Sequence, residues 1–89
     1  MSRYDKPSHR VYMSFFYRGG WYVQFLEQDC RTPLPRKFNF KDPEKIRQIA
    51  RRGEALGTED ARQELEREIS NGRGGVYLHL TPEQYRKLR

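Results

Sequence analysis

Apolar positions in this chain fall into short clusters separated by polar punctuation, and the densest cluster is VYMSFFYRGGWYVQFLEQ. Residues 11–17 and 21–28 are rich in aromatic and β-branched side chains, which favour strands, and they flank Gly19 and Gly20. Two glycines can both take positive φ angles, so the pattern predicts a hairpin closed by a two-residue type I′ turn. The prolines of DCRTPLPR cannot donate to a sheet ladder, which predicts a loop there. RKFNFK then alternates, with Phe38 and Phe40 on one side and Lys37, Asn39 and Lys41 on the other, the pattern of a half-buried third strand.

Helix signals follow. Asp42, Pro43 and Glu44 supply a capping acceptor, a proline at the first helical position and an acid facing the helix dipole. The helix is expected to run to Arg52, stop at Gly53 and bury Ile46, Ile49 and Ala50, which lie at i, i+3 and i+4. A second helix begins after Thr58, places Ala61, Leu65 and Ile69 four residues apart, and ends in SNGRGG. VYLHL, residues 76–80, reads as a short fourth strand. Thr81, Pro82 and Gln84 form a capping-box start for a terminal helix, with Leu80 and Tyr85 placed as a hydrophobic staple.

These elements predict an α+β fold in the order β-β-β-α-α-β-α. It has one three- to four-stranded, mostly antiparallel sheet and helices packed mainly on one face. Phe38, Phe40, Ile46, Ile49, Leu65, Ile69, Leu78 and Leu80 are the expected core, and the pattern leaves the place of the fourth strand open. The length fits one small domain over residues 1–89, with residues 1–9 as a flexible N-terminal arm.

A two-residue turn sets the hairpin pairing: Arg18 with Trp21, Tyr17 with Tyr22, Phe16 with Val23 and Phe15 with Gln24. One face would then hold Tyr12, Phe16, Trp21, Val23 and Phe25, with Arg18 and Glu27 at its ends. The other would hold Val11, Met13, Phe15, Tyr17, Tyr22 and Leu26, with Gln24 and Gln28 as its polar members. A sheet with two apolar faces needs two coverings. Large apolar patches left in water mark interaction sites, and Phe15, Tyr17 and Tyr22 are the candidate aromatic interface.

Charge sharpens this picture. The net charge is +6, but residues 1–53 hold twelve Lys and Arg against five Asp and Glu, while residues 54–70 hold two against six. The basic surplus belongs to the sheet and first helix, and such a surplus attracts polyanions. A single cysteine excludes an internal disulfide, no apolar run approaches membrane-spanning length, and the N-terminus lacks a signal-peptide core. A cytoplasmic location is expected.

Catalytic chemistry finds no purchase. His9 and His79 lack metal-ligand spacing, and no metal or cofactor is implied. Glu64 stands three residues before Arg67, the spacing of an ion pair on a solvated helix, and Glu68 lies on the same helix. NGRGG precedes a strand, whereas a phosphate loop follows one. The chain reads as a non-enzyme with no evident small-molecule substrate.

Residues 10–55, through GWYVQF, the basic strand RKFNFK and the helix behind it, resemble DNA readers built from a three-stranded sheet and a helix, such as the arm-binding domains of phage-type integrases. That resemblance implies that the sheet face opposite the helix meets DNA through Arg36, Lys37, Asn39 and Lys41. Composition and layout together predict a basic protein that binds DNA or RNA, with Arg36, Lys37, Lys41, Lys45, Arg47, Arg51 and Arg52 as phosphate contacts. The rival expectation is a protein-interaction module, most simply a homodimer joined through the aromatic face.

Overall fold

Tyr17 pairs with Trp21 across a loop of three residues, Arg18, Gly19 and Gly20, and this one residue more than a type I′ turn decides what the sheet buries. The Arg18 N–H donates to the Gly20 carbonyl at 2.8 Å, and Gly19 takes a φ of 67°. The pairing is therefore Phe16 with Tyr22 and Phe15 with Val23, one residue away from the register expected for a two-residue turn. In a strand a one-residue slip sends every side chain of the partner to the opposite face. Odd-numbered residues of both strands now share one face and even-numbered residues the other. Phe15, Tyr17 and Tyr22, expected on one face, are separated: Phe15 is 1% exposed in the core, Tyr17 lies on the same side at its open end, and Tyr22 faces away.

The computed structural model describes residues 9–53 and 56–89. Residues 1–8 of the expected arm lie outside the described residues, and His9 already belongs to a strand. The elements are β1 (His9–Tyr17), β2 (Trp21–Leu26), β3 (Pro33–Phe40), α1 (Glu44–Arg52), α2 (Glu59–Asn71), β4 (Arg73–Leu80) and α3 (Pro82–Arg86). All strand pairings are antiparallel in the order β3-β2-β1-β4, so the fold is α+β as the pattern predicted, and the fourth strand lies beside the first. β3 begins inside the segment expected to be a loop. It tolerates Pro33 and Pro35 because it is an edge strand, and the register shifts between Gln24 and Leu26 where it carries extra residues against β2.

The three helices cover the odd-numbered face. Val11, Met13, Phe15, Trp21, Val23, Phe25 and Leu78 from the strands pack with Ile46, Ala50, Leu65 and Ile69 from α1 and α2. Phe38, Phe40 and Ile49, expected as full core members, are half-buried at its margin. The caps of α2 and α3 follow the sequence signals, whereas α1 starts one residue later than expected, with Pro43 and not Asp42 at its N-cap and no side-chain cap. Thr58 accepts from the Ala61 N–H at 3.1 Å, Gly72 closes α2 in the left-handed region at φ 82°, and Thr81 and Gln84 complete their reciprocal box. Asp42, just before the N-cap of α1, accepts from the N–H of Glu44, the first helical residue, at 2.9 Å.

The loop between β2 and β3 is organised by Asp29, whose carboxylate accepts from the N–H groups of Arg31 and Thr32 at 2.8 and 2.9 Å and from the Thr32 hydroxyl at 2.7 Å. These bonds, the Thr32 N–H foremost, hold the carboxyl at about 2 against an ordinary value of 3.8. The folded value lies below the unfolded one, so the stabilisation is complete above pH 3.8 and drains away as pH falls towards about 2. In an NMR titration the amides of Arg31 and Thr32 should move together in that window. Asp29→Asn should remove the step, and amides that stay still in the native chain would show that the carboxylate does not hold the loop.

Candidate functional site on the open sheet face

The register places the even-numbered side chains in rows that cross the uncovered face of the sheet. Read from β4 to β3, the first row is Arg73, Phe16, Tyr22 and Asn39, and the second is Gly75, Ser14, Gln24 and Lys37. Tyr77, Tyr12 and Leu26 make a third row, and His79 and Arg10 a fourth. Two aromatic couples result. Phe16 and Tyr22 stack on each other, with ring centres 5.3 Å apart and planes within 15°. Tyr12 and Tyr77 meet edge to face at 5.0 Å. Four residues of strand separate the couples, about 13 Å, and the polar Ser14 and Gln24 lie between them.

These aromatics are open to solvent: Phe16 is 47% exposed, Tyr22 41% and Tyr77 38%. Side-chain-free Gly75 makes room for Tyr12, because a Cβ there would fall inside the Tyr12 ring. The Arg10 guanidinium sits 4.3 Å above the Tyr77 ring, a cation–π contact that holds a positive charge on the aromatic surface. The Cys30 sulfur lies 2.9 Å from the Tyr77 hydroxyl and raises its pKa. Burial, followed by the Glu68 carboxylate, raises that of Tyr12. Both phenols therefore stay neutral at physiological pH.

Arg10, Lys37 and Arg73 stand in these rows, and no Asp or Glu does. The ion pairs of the described residues lie instead on α1 and α2. Arg47 donates to both carboxylate oxygens of Glu66 at 2.7 and 2.9 Å and to Glu44, which also accepts from Arg51 at 2.7 Å. That cluster joins α1 to α2.

The seven cations expected to touch phosphate thus occupy separate places. Lys37 is on the open face, and Lys41 is exposed just beyond the end of β3. Arg36 projects towards the opposite side, where it borders a cavity with Arg52. Lys45, Arg47 and Arg51 belong to α1, which packs Ile46 and Ala50 on the covered face, and Arg47 and Arg51 are engaged with acids.

No family model, curated protein or solved structure matches this chain. The reading of the face consequently depends on its own geometry. Sequence reasoning overlooked Arg10 and Arg73. Their signal was their even or odd position relative to Phe16 and Tyr77, legible only once the turn length and the place of β4 are known. Among the described residues no group of three or more His, Cys, Asp or Glu is arranged to hold a metal, and no helix is long and apolar enough to cross a membrane.

Proposed function

We propose that the open sheet face binds single-stranded nucleic acid and that the protein is a non-enzymatic binder. The observation that carries this reading is a face whose strand positions bear Arg10, Lys37 and Arg73 but no acid, and on which the Phe16–Tyr22 stack lies in a row with Arg73 and beside Lys37, away from the Glu68 carboxylate that reaches Tyr12. Bases present a π-face that stacks on exposed aromatics once they are free of a duplex, and sheet platforms of this kind take two or three bases. Here one base would stack on Phe16 and Tyr22 and another near Tyr77, with Ser14, Gln24 and Asn39 in reach of base edges. Arg10, Lys37 and Arg73 would meet phosphates. A cytoplasmic location suits such a ligand.

The homodimer reading is weaker on the same geometry. An isologous contact sets the same patch against itself, so the two copies would bring six cations, Arg10, Lys37 and Arg73 of each, into one contact whose strand positions supply no acid. Duplex DNA, the ligand implied by the sheet-and-helix resemblance, satisfies the cations and leaves the aromatics without bases to stack on.

Titration of labelled ten-nucleotide single strands and duplexes across a salt series tests the proposal. Each phosphate contact contributes about −0.7 to the slope of log affinity against log salt for single strands, so three cations give a slope of about −2. Lys37→Glu together with Arg73→Glu should flatten it to about −0.7 and weaken binding to every sequence. Salt-independent affinity, or tighter binding of the duplex, would refute the single-strand reading.

A further inference from the structure

The covered side of the sheet is not fully closed. A cavity of about 520 Å³ lies among β3, the end of α1 and α3, with Phe25, Phe38, Ile49, Leu78 and Leu88 among its walls. Its origin is the shortness of the covering. α1 stops at Gly53 and α3 has five residues, so neither reaches across the space between them. Gly53 lies so close to β4 that a Cβ there would come within 2.8 Å of the Leu78 side chain, which sets the floor on that side.

The rim has a different composition from the walls. Arg36, Arg52 and Lys87 border the cavity, all three are exposed, and no acidic side chain among the described residues lines it. Arg36 and Lys87 are near neighbours, since the Arg36 N–H donates to the carbonyl of Leu88 at 3.4 Å. Gln84 is the other polar side chain of the lining, and its carbonyl oxygen is already engaged by the Thr81 N–H. An apolar hollow within the 300–1,000 Å³ range of small-molecule sites, bordered among the described residues by three cations, complements a ligand with an apolar body and an anionic head.

We propose that this cavity binds a free, medium-chain alkyl carboxylate. The tail lies against Phe25, Phe38, Ile49 and Leu78, and the head lies between Arg36 and Lys87. The partial negative charge at the C-terminal end of α1 directs the carboxylate away from Gly53 and towards that pair, while Arg52 offsets it. A monomeric ligand is favoured over a membrane lipid because the walls form a hollow that takes one tail, and because the rim charges surround its mouth. This site is separate from the open face, and neither proposal depends on the other.

Calorimetric titration of the full chain with hexanoate, octanoate and decanoate, below micelle-forming concentrations, tests the assignment. Affinity should tighten by about fourfold per added methylene until the cavity is full. Decanol and decyltrimethylammonium should bind more weakly than decanoate. In methyl NMR spectra the shifts should centre on Ile49, Leu78 and Leu88. Arg36→Glu and Lys87→Glu, both exposed positions, should reduce decanoate to the affinity of decanol, and Ile49→Trp should block all three carboxylates. Equal binding of decanol and decanoate would overturn the proposal. So would ligand-induced shifts confined to the aromatic ring signals of Phe16 and Tyr22, binding to anionic phospholipid vesicles without binding to decanoate, or a doubling of mass showing a second copy in the cavity.

Discussion

Phe15→Ala is expected to cost about 3–5 kcal/mol of folding stability, and Phe16→Ala, one residue further on, less than about 1 kcal/mol. Phe15 is 1% exposed, lies in a row with Val23, and packs beside Trp21 with ring centres 6.0 Å apart. Removing its ring leaves a cavity that the surrounding strands and helices can only partly close. A chain of this length has on the order of 5–13 kcal/mol in total, so the Phe15 variant should stand close to unfolding at ambient temperature. Phe16 is 47% exposed and its truncation vacates space already open to water. Urea denaturation at constant m-value measures both. A larger loss for Phe16 would mean that the loop has two residues and that the sheet buries the opposite set of side chains.

Phe16→Ala combined with Tyr22→Ala is expected to weaken single-strand binding by about 2 kcal/mol or more, roughly thirtyfold, with little change in stability. The two rings stack on each other and offer a base their outer faces, so a double variant removes the pair without leaving half of it in place. Tyr17→Ala is the matched control. Tyr17 is 55% exposed, but it belongs to the covered side beside Trp21 and should leave binding unaltered. Equal losses for the control and the double variant in fluorescence anisotropy would mean that the aromatics act through general stickiness and would remove stacking from the mechanism.

The helices and most of the strands were legible in the chain because local chemistry specifies them. Thr58 and Thr81 are capping residues wherever they precede a helix, and Gly72 ends one because its φ of 82° costs a side-chain-bearing residue more. The distribution of side chains between faces was not legible, for a non-local reason. RGG closes a hairpin with two or three loop residues, and nothing within the three letters decides between them. The decision comes from the sheet as a whole, which gains by placing Val11, Met13, Phe15, Trp21, Val23 and Phe25 together under the helices. The candidate site inherits that ambiguity: Tyr22 and Lys37 could be singled out from composition, but Arg10, Phe16 and Arg73 needed the register and the position of β4. Likewise, the prolines that argued for a loop were compatible with a strand once it lay at an edge.

That edge has a consequence for how the molecule behaves in company. Exposed aromatic sheets are prone to growing into fibres by recruiting strands from neighbouring chains, through unpaired N–H and C=O groups at their borders. β3 offers two positions without an N–H, Pro33 and Pro35, and the Arg36 N–H is already taken by the Leu88 carbonyl. On the far side, the N–H of His79 in β4 is taken by the Gly53 carbonyl. Each border thereby offers an incoming strand an interrupted row of N–H donors, most of all at β3, which works against growth of the sheet from one chain to the next.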